Sequence, residues 1–125
     1  MRHVPIPLYV VVPANSALNV CSASLAGALQ IDSIEMTWPT GTYLNLTYQF
    51  FLLGAILQNN TLKPGGGELT LPYISPGYFA GDGISKEYVF QVPVTAERAY
   101  LAMYVTNNTP NNWSASAVAT ISVEP

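Results

Sequence analysis

Apolar and polar residues alternate with a period of two along much of this 125-residue chain. In Thr42 to Leu53, Leu44, Leu46, Tyr48 and Phe50 fall on one side and Tyr43, Asn45, Thr47 and Gln49 on the other, as a half-buried strand requires. Ile31 to Trp38 repeats the pattern, with Ile34, Met36 and Trp38 opposed to Ser33, Glu35 and Thr37. Tyr100 to Thr106 sets Leu101, Met103 and Val105 against Tyr100, Ala102 and Tyr104, and Ser114 to Val123 sets Ala115, Ala117, Ala119, Ile121 and Val123 against serines, Val118 and Thr120. Glu87 to Val94 alternates Tyr88, Phe90, Val92 and Val94 with Val89 and Gln91. Shorter strands are predicted at Leu8 to Val12, Ala17 to Ser22 and Glu68 to Leu71, the last with Leu69 and Leu71 inward.

Turn signals separate these runs: Pro39-Thr40-Gly41, Asn59-Asn60, Pro64-Gly65-Gly66-Gly67 and the asparagine-rich Asn107 to Asn112. Pro72 to Lys86 is predicted as a long connection, of a length that usually carries a function. Only Ser22 to Gln30 could form a short helix, and Gly27 weakens it. About eight strands without a helical layer must bury their apolar faces against one another. The fold class is therefore all-β, a single antiparallel β-sandwich, with a jelly roll favoured over an immunoglobulin-like arrangement because eight strands and long end loops fit it better. Residues 1–13, with Pro5, Pro7 and Pro13 holding an extended path, are expected to form an N-terminal arm, and residues 14–125 the sandwich domain.

Composition sharpens this picture. Only 9% of residues are charged and 50% are hydrophobic, whereas a soluble domain ordinarily carries roughly 25% charged residues. Such a chain is expected to have much of its surface covered by other protein, as a homo-oligomer or an assembly subunit. Four scattered Lys and Arg within a net charge of -3 build no basic patch, which disfavours direct nucleic-acid binding and an electrostatic membrane anchor. No window is long and apolar enough to span a bilayer. The prolines break the apolar start, so no secretory leader is predicted. The lone Cys21 excludes an intramolecular disulfide and reads as a small buried hydrophobe.

Candidate chemistry is sparse, and neither enzymatic activity nor a cofactor or metal is expected. His3 is the single histidine, so a Ser-His-Asp or Cys-His unit would require the arm to fold over a nucleophile. Asp82-Gly83 with Glu87 could offer oxygen ligands to calcium, but a turn with a solvated carboxylate fits them better. Asp32 and Glu35 are expected on opposite faces of their strand, too divergent for a glycosidase pair. Four glycosylation sequons, at Asn45, Asn59, Asn107 and Asn112, read as by-products of an Asn- and Thr-rich composition. The aromatics Tyr73, Tyr78, Phe79 and Trp113 lie outside predicted core positions, and together with Ile6, Leu8 and Tyr9 of the arm are the candidate protein-interface residues.

The low charge, the segment Tyr100 to Thr106 followed by an asparagine-rich turn, and the terminal alternating strand Ser114 to Val123 resemble the small β-sandwich and jelly-roll capsid cement, decoration and minor capsid proteins of double-stranded DNA viruses. The resemblance covers the whole length without a diagnostic motif. It implies a virion structural protein, assembled in the host cytoplasm, that oligomerises, often as a trimer, and clamps neighbouring capsid subunits through arm and loops. A subunit of an extracellular filament, in which Pro5 to Val12 adds to the next copy's sheet, is the alternative, and a carbohydrate-binding module a further one.

Overall fold

The computed structural model describes residues 2–22, 24–25, 27–53, 69–71, 79–94 and 100–124. Nine strands occur among them: β1 (Arg2–Val12), β2 (Ser16–Cys21), β3 (Ala28–Thr37), β4 (Leu46–Leu53), β5 (Leu69–Leu71), β6 (Phe79–Ala80), β7 (Ser85–Pro93), β8 (Tyr100–Asn107) and β9 (Trp113–Val123). All their pairings are antiparallel. One sheet has the order β1-β9-β3-β7, the other β2-β8-β4-β5, with β6 also on β4. The two sheets enclose a shared apolar core, so the chain is a β-sandwich.

The period-two pattern decides which side chains meet in that core. Ile31, Ile34 and Met36 of β3, Leu46, Tyr48, Phe50 and Leu52 of β4, Leu101, Met103 and Val105 of β8, and Ala115, Ala117, Ala119 and Ile121 of β9 are all buried. Trp38 stacks on Tyr48 with ring centroids 4.8 Å apart, and its indole N–H donates to the Leu46 carbonyl at 2.9 Å. Gly81 has to be glycine here, because a Cβ would sit 2.7 Å from the Trp38 ring.

Several expectations change. The arm is a strand: β1 pairs with β9 from Arg2 to Val12 without a register shift, and Val4, Ile6 and Val10 pack against the core while Leu8 and Val12 are within it. Residues 2–12 thus belong to the sandwich. Pro5 and Pro7 are tolerated because β1 is an edge strand, and residues of the same parity there turn the position of the missing N–H toward the free edge. The stretch expected as a possible helix contains instead the start of β3 at Ala28. Finally, β4 begins at Leu46, since Tyr43 (φ 50°) and Leu44 (φ 66°) are in the left-handed region and turn the chain.

Of the long connection expected over Pro72 to Lys86, residues 72–78 lie outside the described residues, while Phe79–Ala80 and the start of Ser85–Pro93 are strands. β5 and β6 are successive segments along β4, with Leu71 paired to Phe50 and Phe79 paired to Tyr48.

Candidate functional site

The outer face of the β1-β9-β3-β7 sheet is built in rows. Val11 lies beside Ser114, and Tyr9, Ser116, Thr37 and Ser85 form the next row. Pro7, Val118, Glu35 and Glu87 follow, then Pro5, Thr120, Ser33 and Val89, and finally His3, Ser122 and Gln30. Two regions of different chemistry result.

Along β1 and β9 runs an exposed apolar band of Val11 (51% exposed), Tyr9 (60%), Pro7, Val118 (38%) and Pro5, with Val89 (70%) on the opposite edge of the face. Tyr9 is held by a hydrogen bond between its hydroxyl and that of Ser114, 3.1 Å away. Serines and threonines flank the band, except that Glu35 lies beside Val118.

The second region is a shallow groove of about 390 Å³ lined by residues that include His3, Asp32, Ser33, Glu87 and Ser122. It exists because of a β-bulge. Between Ile31 and Ser33 the register against β9 shifts by one residue, so both Asp32 and Ser33 lie on the outer face while Ile31 and Ile34 stay buried. Asp32 Oδ1 accepts from Gln30 Nε2 at 2.6 Å, and Oδ2 accepts from Ser122 Oγ at 2.6 Å with His3 Nδ1 2.9 Å away. These donors, Ser122 first and Gln30 next, hold the Asp32 carboxyl below the usual carboxylate range. The bulge also overturns the expectation that Asp32 and Glu35 fall on opposite faces, because the extra residue restores both to the outside.

His3, Asp32 and Ser122 match a hydrolase triad in composition but not in geometry. A triad serine gives its proton to the histidine; here the buried Ser122 hydroxyl donates to the carboxylate, and the imidazole nitrogen nearest to it is already on Asp32. The chemistry available is a clasp that joins β1, β9 and β3.

The interface candidates separate as follows. Tyr9 is exposed on the apolar band. Ile6 is half-buried against the core, and Leu8 is in the core because it has the same parity as Val12, so neither offers a free contact. Phe79 is also in the core: its pairing with Tyr48 turns the ring inward, with centroids 6.2 Å from Phe50 and 4.4 Å from Tyr88. Trp113 opens β9, half-buried against the core with its indole N–H donating to Thr109 Oγ1 at 2.9 Å, so it plugs one end of the sandwich. Tyr73 and Tyr78 lie outside the described residues.

The other sequence candidates have local roles. Asp82 Oδ1 accepts from the Gly41 N–H at 2.7 Å as a turn clamp. Among the described residues, no group of three metal-ligating side chains forms. Cys21 is half-buried beside Phe51 and Ala102 on the outer side of the other sheet. Asn107 is buried, its amide consumed by backbone carbonyls, while Asn45 and Asn112 are exposed. Asn59 lies outside the described residues. No helix among the described residues is long and apolar enough to cross a membrane.

No protein-family model matches the chain, and no curated protein matches it. Among solved structures, the Yersinia pseudotuberculosis-derived mitogen is similar in fold, with a TM-score of 0.51 at 6% sequence identity over 97% of this chain and 87% of the mitogen. At that identity the likeness is one of β-sandwich architecture.

Proposed function

We propose that this protein is a structural assembly subunit of the virion shell class, a cement, decoration or minor capsid protein that works by burying a rigid sheet face against neighbouring subunits. The observation that carries this reading is the exposed band Val11, Tyr9, Pro7, Val118 and Pro5 on the outer face of a complete sheet, in a chain with 9% charged residues. Such a band is the kind of surface that subunit contacts cover.

Strand order supports the finer fold reading. Neighbours in the sheets are almost all distant in sequence, and the chain passes from sheet to sheet at β1 to β2, β2 to β3, β3 to β4, β6 to β7, β7 to β8 and β8 to β9. An immunoglobulin-like sandwich would instead pair sequence neighbours such as its first two strands. The jelly roll is thus the better match, a fold used by viral capsid proteins and lectins among others. Fold alone assigns no function; the band on its surface is the argument.

The filament alternative loses its mechanism. A strand-donating subunit needs an unpaired segment, and Pro5 to Val12 is already paired within its own sheet. Light scattering of the purified chain at neutral pH tests the assembly reading. The expected result is a concentration-dependent oligomer, and a monodisperse monomer at high concentration overturns it.

A further inference from the structure

We infer that the turn Thr42 to Asn45 is a binding tip for a neutral glycan. The inference is independent of the assembly reading, since the tip lies off the sheet face that carries it. Tyr43 and Leu44 are the two central residues of a turn closed by the Asn45 N–H donating to the Thr42 carbonyl at 2.9 Å, both with positive φ. Turns of this kind are ordinarily made by Asn-Gly, because side chains beyond Cβ are strained in the left-handed region. Here that strained pair carries a tyrosine 76% exposed and a leucine 61% exposed. An exposed position offers no packing reason for such residues, and strain held in place by its surroundings is a mark of a functional segment.

The surroundings do hold it. The buried Thr42 donates its hydroxyl to the Gly81 carbonyl at 2.8 Å, the Gly41 N–H is clamped by Asp82, and the Asn108 N–H donates to the Asn45 carbonyl at 2.9 Å. The tip is therefore fixed to two neighbouring turns, and its aromatic ring is presented without the ordering cost of a floppy loop.

Chemistry identifies the occupant. The described turns at this end of the sandwich, residues 13–15, 38–45, 80–84 and 108–112, contain one formally charged side chain, Asp82, already on Gly41. They contain five asparagines, Asn15, Asn45, Asn108, Asn111 and Asn112, of which Asn112 already accepts from the Ala14 N–H at 3.0 Å. An amide both donates and accepts, which suits vicinal hydroxyls, and a tyrosine face suits the apolar face of a pyranose ring. Anionic headgroups or sialic acid would call for Lys or Arg, which these turns lack. A protein partner would need a contact far larger than two side chains supply.

The test is a titration of the intact protein, followed by NMR, with lactose, cellotetraose and maltotetraose as neutral probes, 3′-sialyllactose as the acidic one and phosphatidylcholine vesicles as the lipid one. At least one neutral sugar is expected to bind with a Kd of about 1 mM or below, shifting the Tyr43 and Asn108 resonances. Tyr43→Ala should weaken that binding about tenfold and Tyr43→Phe should retain it, since stacking needs the ring alone. Tyr43→Asn with Leu44→Gly should raise the melting temperature by relieving the turn while abolishing binding. The proposal is overturned if no neutral sugar binds at about 10 mM, if Tyr43→Ala binds as well as the parent, or if the vesicles or the sialylated probe bind in preference.

Discussion

Asn107 concentrates more structure in one side chain than any sequence pattern around it suggests. Its amide nitrogen lies 3.1 Å from the Val12 and Pro13 carbonyls and 2.9 Å from that of Asn111, and its oxygen accepts from the N–H and hydroxyl of Thr109. One residue thus ties the β1 to β2 turn to the β8 to β9 turn. Replacing it by Ala leaves several buried polar groups unpaired, at about 1–3 kcal/mol each before relaxation. A fall in melting temperature of about 10 °C is expected by calorimetry. Asp32 sets a second test, through pH. Its carboxyl titrates below the ordinary range in the folded protein, so it stabilises the fold above its unfolded pKa, and that contribution is lost as pH falls through the folded value. Ser122 is the largest cause. The stability gap between the parent and Ser122→Ala, read by urea unfolding, should be widest near neutrality and narrow on acidification below about pH 4; a pH-independent gap would remove the hydroxyl from the carboxylate's account.

At the scale of elements, strands with strict alternation were legible in the sequence, and places where a single residue breaks the period were not. Ile34, Met36, Leu46, Tyr48, Phe50, Leu101, Met103 and Val105 are inward as the pattern predicts. Asp32 is the counterexample, because a bulge is one extra residue and leaves no mark in a two-residue repeat. Tyr43 and Leu44 continue the alternation of β4 yet belong to a turn, since nothing in a Tyr-Leu pair signals positive φ. The N-terminal prolines suggest an arm because they remove donors, but on an edge strand those donors are not needed. Deleting Met1 to Pro7 should therefore cost stability, because it removes Val4 and Ile6 from the core's flank as well as half of the β1 ladder. A drop in melting temperature of about 5–10 °C is expected, whereas an unchanged melting point would return the segment to the status of an appendage. Glu35 lies directly opposite Glu87 on the outer face. Like charges so placed repel, so Glu35→Gln should raise stability by about 0.2–1 kcal/mol at neutral pH and by less in high salt.

For the whole molecule the question is whether the exposed apolar band along β1 and β9 serves as a contact surface. The candidate site was half legible. Tyr9, a candidate contact in the N-terminal run, is exposed, whereas the candidates Leu8 and Phe79 are in the core because parity and pairing partner, not proximity to prolines or loops, decide which side is free. Val89 and Val118 went unnoticed, since an isolated valine on the polar side of a strand looks like noise until the register sets Val118 in the band and Val89 on the same face at its far edge. A standard interface covers about 800 Å² on each partner, a modest part of the 6474 Å² that this chain exposes, so one sheet face is large enough to serve. Placing a charge at Val118 and another at Val89 should separate assembly from folding. Both side chains point away from the core, so Val118→Lys with Val89→Lys loses only about 1 kcal/mol of strand preference and little packing. In an interface the same ammonium groups would be desolvated without partners, which disfavours association strongly. The double variant should melt within a few degrees of the parent and sediment as a monomer at concentrations where the parent associates. If it associates like the parent, the contact lies elsewhere on the sandwich and the sheet face is simply a bare surface.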